Sequence, residues 1–178
     1  MRYRRAITKG GTFFFTLVTY HRRPLFDDAE NIHLLRNVMR EVKAAHPFTI
    51  EAFVLLPDHL HCIWTLPELD SNFSMRWRLI KAYFTRRCPK KYKYFSTIAR
   101  KHKDEQCIWQ RRFWEHQIRN EKDLIKHVEY IHYNPVKHGY VKTVSEWPYS
   151  SFFVFVKRKI YPKNWGSGMS FIESAGQE

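Results

Sequence analysis

Apolar and polar positions alternate along this chain in two rhythms. From Asp28 to His46 the residues Ile32, Leu35, Val38, Met39 and Val42 recur at three- and four-residue spacing behind an acidic first turn, which predicts a helix over 28–46. Pro47 stops it. Runs rich in Thr, Phe, Val and Ile flank that helix: "GGTFFFTLVTY" predicts a strand over Thr12–Tyr20, and "FTIEAFVLLP" with "HLHCIWTLP" predicts two more, joined by a tight turn at Pro57-Asp58. "SNFSMRWRLIKAYFTRRC" opens on a Ser cap and sets Trp77, Ile80 and Phe84 on one side, predicting a second helix. "CIWQRRFWEHQIR" predicts a fourth strand. "NEKDLIKHVEYIHYNP" predicts a third helix, with Asn120 as N-cap, Glu121 and Asp123 in the first turn, and Leu124, Val128 and Ile131 as its apolar stripe. Its end is expected near Asn134, because a residue before proline is biased out of the α region.

The predicted order is β-α-β-β-α-β-α. This is the split βαβ plan, an α+β fold of ferredoxin-like or RRM-like type with an antiparallel sheet and helices on one face. Residues 1–143 are expected to form the domain. Residues 144–178 form a basic, aromatic tail expected to pack on it, its own elements unassigned by the pattern. No repeat or low-complexity linker interrupts the pattern.

Composition narrows the function. A chain of 178 residues, 44% hydrophobic and 17% aromatic, has ample material for one core. No apolar run is long enough to span a bilayer and "MRYRRAITKGG" carries no cleavage site, so a cytoplasmic protein without membrane attachment is expected. The odd, widely spaced Cys62, Cys88 and Cys107 suggest neither a disulfide framework nor a cysteine zinc site. The formal charge of +14 points to a polyanionic partner, nucleic acid before membrane. From Ser71 to Lys103 there is no acid and there are eleven cations, with Tyr83, Tyr92, Tyr94 and Phe95 among them. Cations for phosphates beside aromatics for unstacked bases make the composition of a single-strand groove. Arg76, Arg78, Lys81, Arg86 and Arg87 are its candidate DNA contacts, joined by Arg112 and by Arg4 and Arg5 ahead of the Gly-Gly.

The chemistry centres on "VLLPDHLHCIWTLP". Alternate strand residues share a face, so His59 and His61 project the same way, about 7 Å apart. They are either two ligands of one divalent metal or ordinary half-buried histidines, and a metal site needs a third ligand. Tyr130 and Asn134, four apart on the last helix, share one face and offer a phenol beside a carboxamide; Tyr133 lies about 100° away around the helix. Lys126, one turn before Tyr130, is either an activating charge or a solvated lysine. His127, His132 and His138 are candidate proton carriers with none preferred. Asp58, Glu115 and His116 either orient ligands or face solvent.

"HLHCIW", "HVEYIHYNPVKHGYV" and "EWPYSS" together resemble the single-tyrosine HUH transposases. With "YRRAITKGGTFFFT", "LPDHLHCIWTLP" and "FWEHQIRNEKD" in the same order, the chain more closely resembles the REP-associated tyrosine transposases up to about Trp165. The resemblance implies that His59, His61 and Asn134 bind Mg²⁺ or Mn²⁺. It further implies that Tyr130 cuts single-stranded DNA at palindromic hairpins, leaving a 5′-phosphotyrosine and a free 3′-hydroxyl. It implies a monomer without an organic cofactor. Two rivals are a non-catalytic RRM-like binding module and a hydrolase that uses water as nucleophile. A zinc deaminase is disfavoured, since the chain has no Pro-Cys-x-x-Cys.

Overall fold

The structure, a computed structural model, describes residues 8–103 and 106–168. Its elements are β1 (Thr12–Val18), α1 (Ala29–Ala45), β2 (Thr49–Leu55), β3 (His59–Thr65), α2 (Phe73–Arg87), a short α3 (Ile98–His102), β4 (Trp114–Gln117), α4 (Glu121–Lys137) and a short α5 (Phe152–Lys157). The strands pair antiparallel in the order β2-β3-β1-β4, the ferredoxin-like arrangement. β3, which carries the histidines, is therefore central.

Both faces of this sheet are covered. Phe13, Phe15 and Leu17 of β1 with Leu60, Cys62 and Trp64 of β3 meet α1 and α2 in the larger core, where Trp64 stacks on Trp77 at 3.9 Å. The helices were expected on one face, and α4 departs from that: Val128, Tyr130 and Ile131 pack on Phe14, Ala52, Val54 and Ile63 across the opposite face. The reason lies in β1, where five consecutive residues, Phe13 to Leu17, are buried. An unbroken apolar run needs cover on two sides.

Local chemistry explains the element ends. Asp28 caps α1 by accepting from Glu30 N–H at 2.9 Å, and Asn120 caps α4 by accepting from Asp123 N–H at 3.0 Å. The cap of α2 is Asn72, accepting from Met75 N–H at 3.0 Å, rather than a serine. β1 stops at Val18 and β4 shrinks to Trp114–Gln117, while Thr19 and Trp109 form only an isolated bridge beyond them. α4 runs past Asn134 and through Pro135 to Lys137. Pro135 sits in the last turn, where it removes one hydrogen bond, and the burial of Ile131, Asn134 and Pro135 offsets that loss.

The tail covers the β2 edge. Leu55 N–H donates to Tyr149 O at 2.9 Å, Ser151 N–H to Phe53 O at 2.8 Å, and Trp147 Nε1–H to Leu55 O at 2.9 Å. This satisfies groups that an open edge would leave to another chain. Among the described residues no helix is long and apolar enough to cross a membrane.

Candidate active site

His59 and His61 leave β3 on the face covered by α4, at 1% and 0% exposure, with ring centroids 4.9 Å apart. Strand alternation puts them together, and central placement buries them. His61 Nδ1 lies 2.8 Å from Thr16 Oγ1 on β1. His59 Nδ1–H donates to Asp58 Oδ1 at 2.5 Å. Burial pushes the Asp58 carboxyl up, but the hydrogen bonds from His59 and Arg22 and the Arg22 charge outweigh it and hold the group below the ordinary carboxylate range. His59 Nε2 is buried and makes no hydrogen bond among the described residues. A buried lone pair in that position fits a metal ion as partner.

α4 supplies the other wall. The Tyr130 ring lies 5.3 Å from that of His61, and the His138 ring lies 5.2 Å from that of His59. Tyr130, Asn134 and His138 follow at intervals of four on one helix face, so Asn134, fully buried, stands between the two contacts. The residue types suit a hard or borderline divalent ion: two imidazole nitrogens and one amide oxygen. Phe14, fully buried, fixes the group by touching the rings of His61 at 5.5 Å and Tyr130 at 6.0 Å.

Two neighbours escape sequence reasoning. Lys137 places its ammonium 5.1 Å from the centre of the Tyr130 ring, whereas Lys126 is exposed. Lys137 is seven residues after Tyr130, and helical spacing would have found it. Arg22 reaches Asp58 Oδ2 at 3.1 Å from the loop after β1, and no local pattern announces that contact.

A second cluster competes for a metal. Ligand atoms of His116, Asp123 and His127 lie within 4.8 Å of one another. One nitrogen of each ring faces Asp123: Asp123 Oδ2 accepts from Arg119 N–H at 2.9 Å and pairs with His116 Nε2 at 2.9 Å, while His127 Nδ1 lies 2.8 Å from Asp123 O. The His116 and His127 rings stack 4.7 Å apart at 13°. Burial leads the causes that hold His127 below the usual imidazole range. The cluster reads as a clamp between β4 and the first turn of α4.

Five of the predicted DNA contacts, Arg76, Arg78, Lys81, Arg86 and Arg87, sit on α2. Arg76 is a correction: it is 1% exposed, and its guanidinium donates to His46 O, Pro47 O, Asn72 O and Asp70 Oδ2 at 2.6–3.1 Å, tying α2 to the α1–β2 connection. Arg87 forms a two-pronged pair with Glu41 at 2.6 and 3.0 Å, and Lys91 pairs with Asp28 at 3.1 Å. Acids from outside the run therefore neutralise part of it. Lys81 and Arg86, with Lys93, Lys103, Arg111 and Trp109, line an open cleft of about 810 Å³, and Arg78 lines an adjoining hollow. Arg112 is exposed. Because α2 packs on the α1 face, this basic surface and Tyr130 stand on opposite faces of the sheet. Arg4 and Arg5 lie outside the described residues.

The family described as "Transposase IS200 like" matches residues 9–134. A REP-associated tyrosine transposase of Escherichia coli (strain K12) is 47% identical over 175 residues, covering 98% of this chain and 96% of that one. A solved structure of a REP-associated tyrosine transposase bound to a REP hairpin superposes with a TM-score of 0.82 at 44% identity, covering 100% of this chain and 98% of that one.

Proposed function

The chain belongs to the IS200-like transposases and, among them, to the REP-associated tyrosine transposases, and from that membership we propose that it is a metal-dependent enzyme that nicks and rejoins single-stranded DNA beside REP-type hairpins. The observation that carries this reading is the approach of Tyr130 to His61, with Asn134 one turn farther along α4.

In the proposed reaction Tyr130 Oη attacks the scissile phosphorus. The bond to the 3′-oxygen breaks, and the phenolic proton ends on that oxygen. The products are a 5′-phosphotyrosine and a free 3′-hydroxyl, and the reverse attack religates the strand without ATP because the phosphodiester energy is retained. His59, His61 and Asn134 would hold Mg²⁺ or Mn²⁺. Such an ion supplies Lewis-acid polarisation of a non-bridging phosphate oxygen. Phe14 and the sheet exclude water from the far side of the phenol. Lys137 opposes the negative charge that gathers at the phosphate.

Arg78, Lys81, Arg86 and Arg112 are proposed to hold the DNA backbone on the α2 side, and Arg4 and Arg5 are retained as proposed contacts. The protein is proposed to act as a monomer in the cytoplasm, on chromosomal DNA. A binding module of RRM type is disfavoured, since α4 covers the sheet face that such a module leaves open to bases.

The test mixes the protein with an end-labelled hairpin bearing a single-stranded flank, adds Mg²⁺ or Mn²⁺, and resolves the products under denaturing conditions beside Tyr130→Phe. Label migrating with the wild-type protein and absent from the variant is expected. Cleavage without an adduct would assign the attack to water and overturn the role of Tyr130.

A further inference from the structure

We propose that Asp58 and Arg22 are positioning residues for His59, forming a guanidinium–carboxylate–imidazole chain that fixes which ring nitrogen faces the metal. This rests on the reading of His59 as a ligand. A carboxylate can only accept, so its 2.5 Å contact with His59 Nδ1 puts the ring proton there and leaves the lone pair on Nε2, the buried atom without a hydrogen bond. Were Nδ1 to lose this partner, the proton could move to Nε2 and block coordination.

The carboxylate is itself held at every point. Its second oxygen accepts from Arg22 Nη1 at 3.1 Å, and its main-chain carbonyl accepts from both the N–H and the hydroxyl of Thr19 at 2.9 Å. Thr19 is fully buried at the end of β1, so the anchor is rigid. Phe26 N–H donates to Pro57 O at 2.9 Å, binding the same loop to the residue before Asp58. The turn that launches β3 is thus set by the loop that follows β1.

That loop adopts an unfavourable backbone to do so. His21 and Arg22 have φ of 54° and 50°, consecutive residues in the left-handed region that side chains other than glycine rarely enter. Arg22 is 43% exposed along its side chain, and an ion pair with one exposed partner contributes little to stability. Stability alone therefore does not account for holding two non-glycine residues there. A guanidinium delivered to one oxygen of Asp58 does account for it, since local strain that survives in a fold collects at working sites.

The experiment uses the full chain in a Tyr130→Phe background, so that no strand is cut. Three quantities are read: Mn²⁺ affinity by the free-ion EPR signal, the His59 tautomer by ¹⁵N NMR of the metal-free protein, and metal-free affinity for a labelled hairpin. Asp58→Asn is expected to weaken Mn²⁺ binding about 10- to 100-fold and to shift the ring proton off Nδ1 in part of the population. Arg22→Gln is expected to weaken it about tenfold, Arg22→Lys to restore most of the loss, and hairpin affinity to stay within about twofold in all three. A purely structural role would lower the melting temperature and hairpin affinity together, leaving the tautomer unchanged, and would overturn the proposal. So would loss of hairpin affinity in Arg22→Gln with Mn²⁺ binding intact, which would make Arg22 a phosphate contact. Failure of the Tyr130→Phe parent to bind Mn²⁺, with binding also absent beside the hairpin, would remove the metal reading and this inference with it.

Discussion

Tyr130 and His61 meet edge to face, their ring centroids 5.3 Å apart and their planes at 71°. One comes from α4 and the other from the middle of β3, and Phe14 of β1 touches both, so three elements fix a single contact. If His61 serves the ion rather than DNA binding, His61→Ala should reduce single-turnover cleavage about a thousandfold, the several kcal/mol that a Lewis acid supplies, while hairpin affinity changes only a few-fold. Cleavage within tenfold of wild type would dismiss the ligand role.

The ammonium of Lys137 over the Tyr130 ring leads to a second expectation. If the Tyr130 phenol attacks a phosphate, a positive charge at 5.1 Å would favour the charge that develops. Lys137→Met should slow single-turnover cleavage about tenfold, and Lys137→Arg should keep most of the rate. Equal rates for all three proteins would mean that the lysine only covers the ring.

If the basic cleft on the α2 side holds DNA, it should bear on affinity, since it stands across the sheet from Tyr130. Replacing Arg78, Lys81 and Arg86 by Gln should flatten the dependence of log affinity on log salt by about 0.7 per lost phosphate contact on single strands. Cleavage at saturating DNA should hardly change. An unaltered slope would move the DNA path elsewhere.

Arg76 makes the opposite case, a cation in the basic run whose role is structural. Four acceptors, three of them main-chain carbonyls, depend on its buried guanidinium. Arg76→Met should cost about 3 kcal/mol of stability in denaturant unfolding, because those carbonyls lose their donors. Salt dependence of DNA binding should be unaltered in the folded variant. A stable variant with weakened binding would return Arg76 to the DNA contacts.

Histidine burial sets a pH limb. Burial holds His132 down to about 3 from an ordinary value of 6.5, its Nε2 lying 2.8 Å from Ser151 Oγ. Between those pH values the unfolded chain binds one proton more than the fold does at this ring. Stability is therefore full above about pH 6.5 and falls as the pH drops below it, by up to about 1.4 kcal/mol per unit from this group, levelling off near pH 3. Denaturant unfolding at pH 7 and pH 5 should show a smaller loss in His132→Phe than in wild type.

Much of this was legible in the chain because it depends on local rules. The helical period from Ile32 to Val42, the cap at Asn120, the turn at Pro57-Asp58, the shared face of His59 and His61 and the four-residue step from Tyr130 to Asn134 all follow from spacing within one element. The motifs in order then carried the family resemblance. Tertiary structure decided what spacing cannot express. It set α4 on the face away from α1 and α2, because the unbroken Phe13–Leu17 run needs cover on both sides. It let Pro135 remain helical through burial and turned Arg76 inward to bind distant carbonyls. It also brought Arg22 to Asp58 and Lys137 to Tyr130. The basic run is contiguous in sequence yet divided in space between ion pairs, a buried clamp and an open cleft, since the partners of each cation are chosen by packing between elements far apart in the chain.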